Sequence, residues 1–266
     1  MRRPSIQARI SMRAIIIGAG RGSRLMPTTA ETPKCFAEVQ GKRILDWTLE
    51  AFRENGVEQI TFIGGYRIEV VQGEYPEFQF RHNTDWQNNN IMESLFYASD
   101  LMDEPFMCCY SDILFTKNIV RDLLSSEADI SLAVDSEWLV RYEQRTEHPS
   151  DDAEKVTVAN GQVTRVHRAI PEQGAYGEYI GLAKFSAAGA AALLEHYQER
   201  RQEFAGQPFR EAKVFEKSYL IHLLQDMIEV GHKMVHVDTP GGYIEVDTQQ
   251  DFEYARELWT SRHLNK

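Results

Sequence analysis

This sequence of 266 residues predicts an α/β fold: a mostly parallel mixed sheet flanked by helices, with a partly antiparallel C-terminal half. Two observations predict it. Up to Asp135, short apolar β-type runs alternate with amphipathic helical stretches, the rhythm of βαβ units. After Asp135 the rhythm breaks into a polar, irregular stretch and then a hairpin pattern.

The elements follow in order. Arg13–Gly18 carries the apolar run Ala14–Ile17 and reads as a strand buried on both faces. Ile44–Asn55 reads as a helix with Leu45, Leu49 and Phe52 on one face, ended by Gly56. Gln59–Ile63 and Phe78–Arg81 read as strands, and Asn90–Leu101 as a helix opening on three asparagines. Phe106–Tyr110 is a strand, Thr116–Ser125 a helix and Asp129–Val134 a strand. Asn160-Gly161 marks the turn of a hairpin within Lys155–Arg168. Tyr176–Ser186 is a further strand, followed by helices over Ala187–Glu203 and Phe215–Val230. Val235–Val237 reads as a strand and Gln249–Thr260 as a closing helix. No repeat or linker divides residues 13–266, which read as a single domain. Residues 1–12 carry no acid and no apolar core for a secretory signal, and are expected to form a flexible tail.

Composition excludes several function classes. The 40 acidic and 29 basic residues leave a formal net charge of -11, the wrong sign for a nucleic-acid surface or a polybasic membrane contact. No apolar run is long enough for membrane insertion. Three cysteines, two of them adjacent in an apolar run, suit a reducing, cytoplasmic compartment and read as buried small hydrophobes. Homo-oligomerisation stays open.

The chemistry concentrates in "AIIIGAGRGSRLMPTTAETPK", Ala14–Lys34. A dinucleotide loop needs a third glycine where Ser23 stands, and an acid at the end of a second strand that does not follow. A Walker A loop needs Gly-Lys-Ser/Thr, also absent. A third design fits. Gly18, Ala19, Gly20, Arg21, Gly22 and Ser23 let backbone N–H groups approach a triphosphate, and Arg24 and Lys34 bring two cations to it. Nucleotidyl transfer needs positioning and positive charge rather than covalent help.

This segment resembles the G-x-G-x-R…P-K signature of the nucleotidyltransferases that activate sugar phosphates and phosphocholine. The resemblance extends from about Arg13 to Trp259, is closest to phosphocholine and phosphonate cytidylyltransferases, and implies a Rossmann-like nucleotidyltransferase domain over 13–266. It implies that Arg24 and Lys34 bind the triphosphate and stabilise the transition state. It also implies a Mg²⁺ site on Asp112 of "YSDILF" and Asp247 of "YIEVDTQQ", with Glu245 a weaker candidate. Hard oxygen ligands suit that ion. Asp247 would also serve as a helix cap, and that alternative stays open.

"NTDWQNNNIMESLFYA" resembles the cytidylyltransferase base pocket, which makes Asn89, Asn90 and Ser94 candidates for reading a pyrimidine, with Asn90 equally suited to cap its helix. The resemblance places the acceptor phosphate at Lys155 or Arg168, where many relatives carry a lysine near the arginine. An ammonium head is expected to meet Glu178 and Trp138, Tyr179 or Tyr243, because aromatic faces attract quaternary cations, with Tyr110 a further acceptor contact. The implied partners are a nucleoside triphosphate, CTP favoured, and a small phosphate or phosphonate compound. None of the eight histidines is assigned a role, and His148 and His167 are expected on the surface. The alternatives are a sugar-1-phosphate enzyme using UTP or dTTP, a non-catalytic nucleotide sensor and, more distantly, a dehydrogenase.

Overall fold

The computed structural model describes residues 12–143 and 145–259. The expected tail lies outside these residues except for Met12, which packs partly buried against the core. Thr260, the expected end of the closing helix, lies outside them too.

Nine strands make the main sheet: β1 (Arg13–Gly18), β2 (Gln59–Gly64), β3 (Gln79–His82), β4 (Phe106–Tyr110), β5 (Ile130–Asp135), β6 (Lys155–Ala159), β7 (Gln162–Val166), β8 (Gly177–Phe185) and β9 (Val235–Asp238). Their order is β3-β2-β1-β4-β8-β5-β9-β7-β6. The β3-β2-β1-β4 portion is parallel. β8 then runs antiparallel to both β4 and β5. β6 returns to pair with the start of β8, so β8, β5, β9, β7 and β6 close a ring.

The described residues form eight helices: α1 (Ile44–Arg53), α2 (Ile68–Glu74), α3 (Ile91–Phe96), α4 (Lys117–Ser125), α5 (Trp138–Tyr142), α6 (Ala187–Phe204), α7 (Leu220–Glu229) and α8 (Gln249–Leu258). The alternation of side chains along β1 divides the core between two faces. Ile15 and Ile17 join α3, α6 and α7, whereas Ala14 and Ile16 join α1 and α4. Cys108 and Cys109 point to opposite faces of β4 and are fully buried, as small hydrophobes. No described helix is long and apolar enough to cross a membrane.

Most expected elements form, and the departures have local causes. The helix read over Phe215–Val230 is a 3₁₀ turn, Phe215–Lys217, followed by α7, because Ser218 and Tyr219 are extended. The helix read over Asn90–Leu101 ends at Phe96, and Ser99–Leu101 forms a separate 3₁₀ turn. α5 forms inside the stretch read as irregular, because Trp138, Arg141 and Tyr142 find burial against the ring. The turn joining β6 and β7 has positive φ at Asn160 and Gly161, as a tight hairpin requires.

Candidate active site

The loop after β1 carries the first functional groups. Gly22 sits at φ 66, where a Cβ would lie 2.9 Å from the Lys34 side chain. Glycine therefore supplies both the left-handed turn and the space for the lysine stem. Thr29 Oγ1 donates to the Gly22 carbonyl at 2.9 Å and ties the far limb of the loop back.

A separate two-stranded ribbon delivers the acids. Ile113–Phe115 pairs antiparallel with Tyr243–Glu245, and the Val246 amide donates to the Asp112 carbonyl at 2.9 Å. The register pairs Phe115 with Tyr243, Leu114 with Ile244 and Ile113 with Glu245, and so brings Asp112 beside Asp247. Lys34 Nζ lies between them, 2.7 Å from Asp112 Oδ2 and 2.6 Å from Asp247 Oδ1. Arg24 pairs with the other oxygen of Asp247. Burial alone would lower the Lys34 pKa, but the charges and hydrogen bonds of the two aspartates overcome it and hold the ammonium charged. Burial likewise opposes ionisation of Asp247, and the charges of Lys34 and Arg24 pull it below its ordinary value. Burial raises Glu245 to about 8; His148 opposes that rise, and the neighbouring Asp247 and Asp112 charges reinforce it.

Asp247 is not the helix cap. Thr248 caps α8 through the Asp251 amide at 3.1 Å, and the Asp251 carboxylate takes the Thr248 amide at 2.9 Å. The Asp247 carboxylate is left for the cations.

Two cavities, each of about 320 Å³, meet at this cluster. Of the predicted nucleotide residues, Gly18, Ala19, Gly20, Gly22, Ser23, Arg24, Lys34, Asn89, Asn90 and Ser94 line the first. Arg21 does not line it: its side chain is exposed, with the guanidinium 5.6 Å from the centre of the Tyr66 ring. Asn90 does cap α3, its Oδ1 accepting from the Ile91 amide at 2.8 Å, while also lining the cavity. Asn83 and Trp86 escaped the sequence reading. Asn83 is fully buried and donates to Asn89 Oδ1 at 2.8 Å and Ser94 Oγ at 2.9 Å, fixing both. Trp86 contributes an indole to the wall.

The second cavity is lined by Tyr110, Arg168, Glu178, Tyr179, Tyr243 and Glu245, and shares Arg24, Tyr110, Asp112 and Asp247 with the first. Glu154 and Tyr219, unread in the sequence, join it. Arg168 stacks 4.0 Å over Tyr219 and reaches Glu154 at 3.4 Å, and Tyr110 Oη donates to Glu154 at 3.1 Å. Two expectations fail here. Lys155 is buried, donates to the Ser150 carbonyl at 2.9 Å and does not line the cavity. Trp138 packs in a small cluster with Tyr142 and Ala153, beneath the Lys155 ammonium. Glu178 lines the cavity but is engaged by Arg141 and, at 2.6 Å, by Tyr142 Oη.

His148 corrects the surface expectation. It is 3% exposed and lies 3.4 Å from Asp251 and 3.6 Å from Glu245. Burial disfavours its charged form, but the Asp251 hydrogen bond and the Glu245 charge raise its pKa. His167 is half-buried and bonds Glu211 at 2.6 Å. No local pattern marks His148, which lies in a polar run that reads as solvated.

A glycine loop on a parallel strand, a buried lysine between two aspartates and two confluent cavities define a phosphate-binding transferase of the α/β class. Residues 14–225 match the MobA-like NTP transferase domain, and the chain belongs to that nucleotidyltransferase family. It is similar to the CTP:phosphoglutamine cytidylyltransferase of Campylobacter jejuni, 29% identical over 92% of this chain and 100% of that protein. Its fold resembles the CTP:phosphocholine cytidylyltransferase of Streptococcus pneumoniae, with TM-score 0.71 at 19% identity, covering 94% of this chain and 100% of that one. It also resembles the inositol-1-phosphate CTP transferase of T. maritima, with TM-score 0.70 at 20% identity, covering 92% and 95%.

Proposed function

We propose that the protein transfers CMP from CTP to an oxygen of a small phosphate or phosphonate compound and releases pyrophosphate. The observation that carries this reading is the confluence of two cavities at Lys34, Arg24, Asp112 and Asp247. The end-to-end similarity to a CTP:phosphoglutamine cytidylyltransferase supports CTP and a phosphorylated small molecule.

The acceptor's phosphoryl oxygen attacks the α-phosphorus in line. The bond from that phosphorus to the bridging oxygen breaks, and pyrophosphate leaves with the electron pair. The attacking oxygen is already ionised at neutral pH, since a phosphate monoester has its second pKa near about 6. No side chain need remove a proton. The Lys34 ammonium supplies charge where negative charge builds up. Arg24 lines both cavities and reaches the phosphates passing between them. Arg168 is the guanidinium that receives the acceptor phosphate.

The donor set suits Mg²⁺: Asp112, Asp247 and Glu245 offer hard oxygen ligands, and the charges of Asp112 and Asp247 alone exceed that of Lys34. These three carboxylates would hold the ion, whose charge would add to that of Lys34 on the triphosphate.

A pyrophosphate-release screen tests the reading. It sets four nucleoside triphosphates against phosphocholine, phosphoethanolamine, 2-aminoethylphosphonate, phosphoglutamine and sugar 1-phosphates. CTP with a head-group phosphate or phosphonate is the expected pair. Cytosine offers an amino donor where uracil offers an acceptor, so a polar pocket built for one favours it by roughly ten- to a hundred-fold in kcat/KM. Fastest turnover of UTP or dTTP with a sugar 1-phosphate overturns it.

A further inference from the structure

The acceptor cavity is rich in tyrosine, yet its ring faces are already used. Arg168 lies 4.0 Å from the centre of the Tyr219 ring, and Arg141 lies 4.6 Å from that of Tyr243. Tyr110 and Tyr179 meet edge to face at 6.3 Å, and a Cβ at Gly181 would strike the Tyr110 ring. A quaternary ammonium is recognised by ring faces that surround it. Here two of the rings already carry a guanidinium, so those faces are not open to a quaternary ammonium. Both Glu178 oxygens are already engaged, one by Arg141, which also pairs with Asp135, and the other by the Tyr142 hydroxyl at 2.6 Å.

The same wall holds two buried polar atoms with no hydrogen-bond partner among the described residues, Tyr179 Oη and Arg168 Nε. Tyr179 is 2% exposed, and both residues line this cavity. A hydroxyl buried without a partner is costly, so a ligand that satisfies it gains over one that cannot.

We propose that the acceptor ends, away from its phosphoryl group, in a hydrogen-bonding head, a primary ammonium or an amide. The Tyr179 hydroxyl reads that head, and the site discriminates against a trimethylammonium. This rests on the function proposed above. An N–H of the head donates to Tyr179 Oη while Arg168 Nε donates to a phosphoryl oxygen. Full methylation removes every N–H, adds bulk and leaves the hydroxyl unpaired.

Phosphoethanolamine and phosphocholine differ only by three N-methyl groups, which makes them the test pair. With CTP and the parent enzyme, kcat/KM should favour phosphoethanolamine by about ten-fold or more. If phosphoethanolamine turns over poorly, 2-aminoethylphosphonate or phosphoglutamine outperforming phosphocholine supports the same conclusion. Tyr179→Phe keeps the ring and removes the hydroxyl. It should narrow the ratio by slowing the amine or amide substrate more than phosphocholine, at unchanged KM for CTP. Phosphocholine turned over equally well or best overturns the inference and leaves the cytidylyltransferase reading intact. An equal loss on both substrates in Tyr179→Phe removes the hydroxyl from recognition. Should that variant not fold, the parent's ratio decides. CMP transfer to none of these compounds overturns the function itself.

Discussion

Lys34 holds two aspartates together and faces the triphosphate cavity, so its removal has two effects. Lys34→Ala should lower kcat by roughly 10²–10³, the scale of losing one preorganised donor to transition-state charge. It also leaves Asp112 and Asp247 facing one another without their common cation. Steady-state pyrophosphate release within a few-fold of the parent would remove Lys34 from the chemistry. Asp112→Asn and Asp247→Asn should each raise the Mg²⁺ concentration needed for half-maximal rate, because each deletes one charged oxygen from the set. An unchanged metal titration in both variants would rule out the assignment. Lys34, Arg24, Asp112 and Asp247 were legible in the sequence because each sits in a local pattern: a glycine loop, a strand end, a helix start. His148, Glu154 and Tyr219 were not. Each reaches the site through tertiary packing, from runs whose local pattern is that of a solvated loop or an ordinary helix start. Trp138 and Glu178 were expected at the ammonium head, since spacing alone does not reveal that Lys155 covers one and that Arg141 and Tyr142 engage the other.

At the scale of elements, α8 holds the carboxylate end of the site. Asp251 closes the capping box with Thr248 and takes Arg145 Nε at 2.7 Å, both groups almost fully buried. Asp251→Ala leaves a buried guanidinium without its main partner, which costs about 3–5 kcal/mol. Equilibrium urea denaturation should register that loss, and a change below about 1 kcal/mol would contradict it. α7 carries a second test, in pH. His222 lies in the capping box at its start, and burial lowers its pKa to about 4, with Glu211 opposing and Arg168, His167 and Arg210 assisting. The folded state therefore keeps His222 neutral where the unfolded chain, with a pKa near about 6.5, takes up a proton. Stability should fall as pH drops from about 6.5 towards about 4, and His222→Gln should flatten that fall relative to the parent. Identical slopes for the two proteins would contradict it. The ribbon joining Ile113–Phe115 to Tyr243–Glu245 was invisible in the sequence, since three-residue strands so far apart carry no periodic signal.

Across the whole molecule, the sheet consists of a parallel portion that supplies the nucleotide loop and a closed ring that supplies the acceptor wall. β8 belongs to both. Its last four residues pair with β4, while its first two pair with β6, and the register shifts in between. The alternating rhythm before Asp135 and the Asn-Gly hairpin after it announced the two portions, but not the register breaks inside the ring, one between β7 and β6 and one in β8. Gly181 lies in the β8 break: it sits at φ 74, with the Tyr110 ring against the position a Cβ would take. Tyr110 lines both cavities, so a displaced ring disturbs both ligands. Gly181→Ala combines a left-handed non-glycine residue with overpacking, together about 2–5 kcal/mol. It should lower Tm by several degrees and raise KM for CTP and acceptor together, unlike the acceptor-weighted change expected of Tyr179→Phe. Thermal melts and two-substrate kinetics on the same preparation separate the cases. A parent-like Tm with both KM values unchanged would mean that the portions are aligned by contacts other than this glycine, and that Tyr110 does not couple the two cavities.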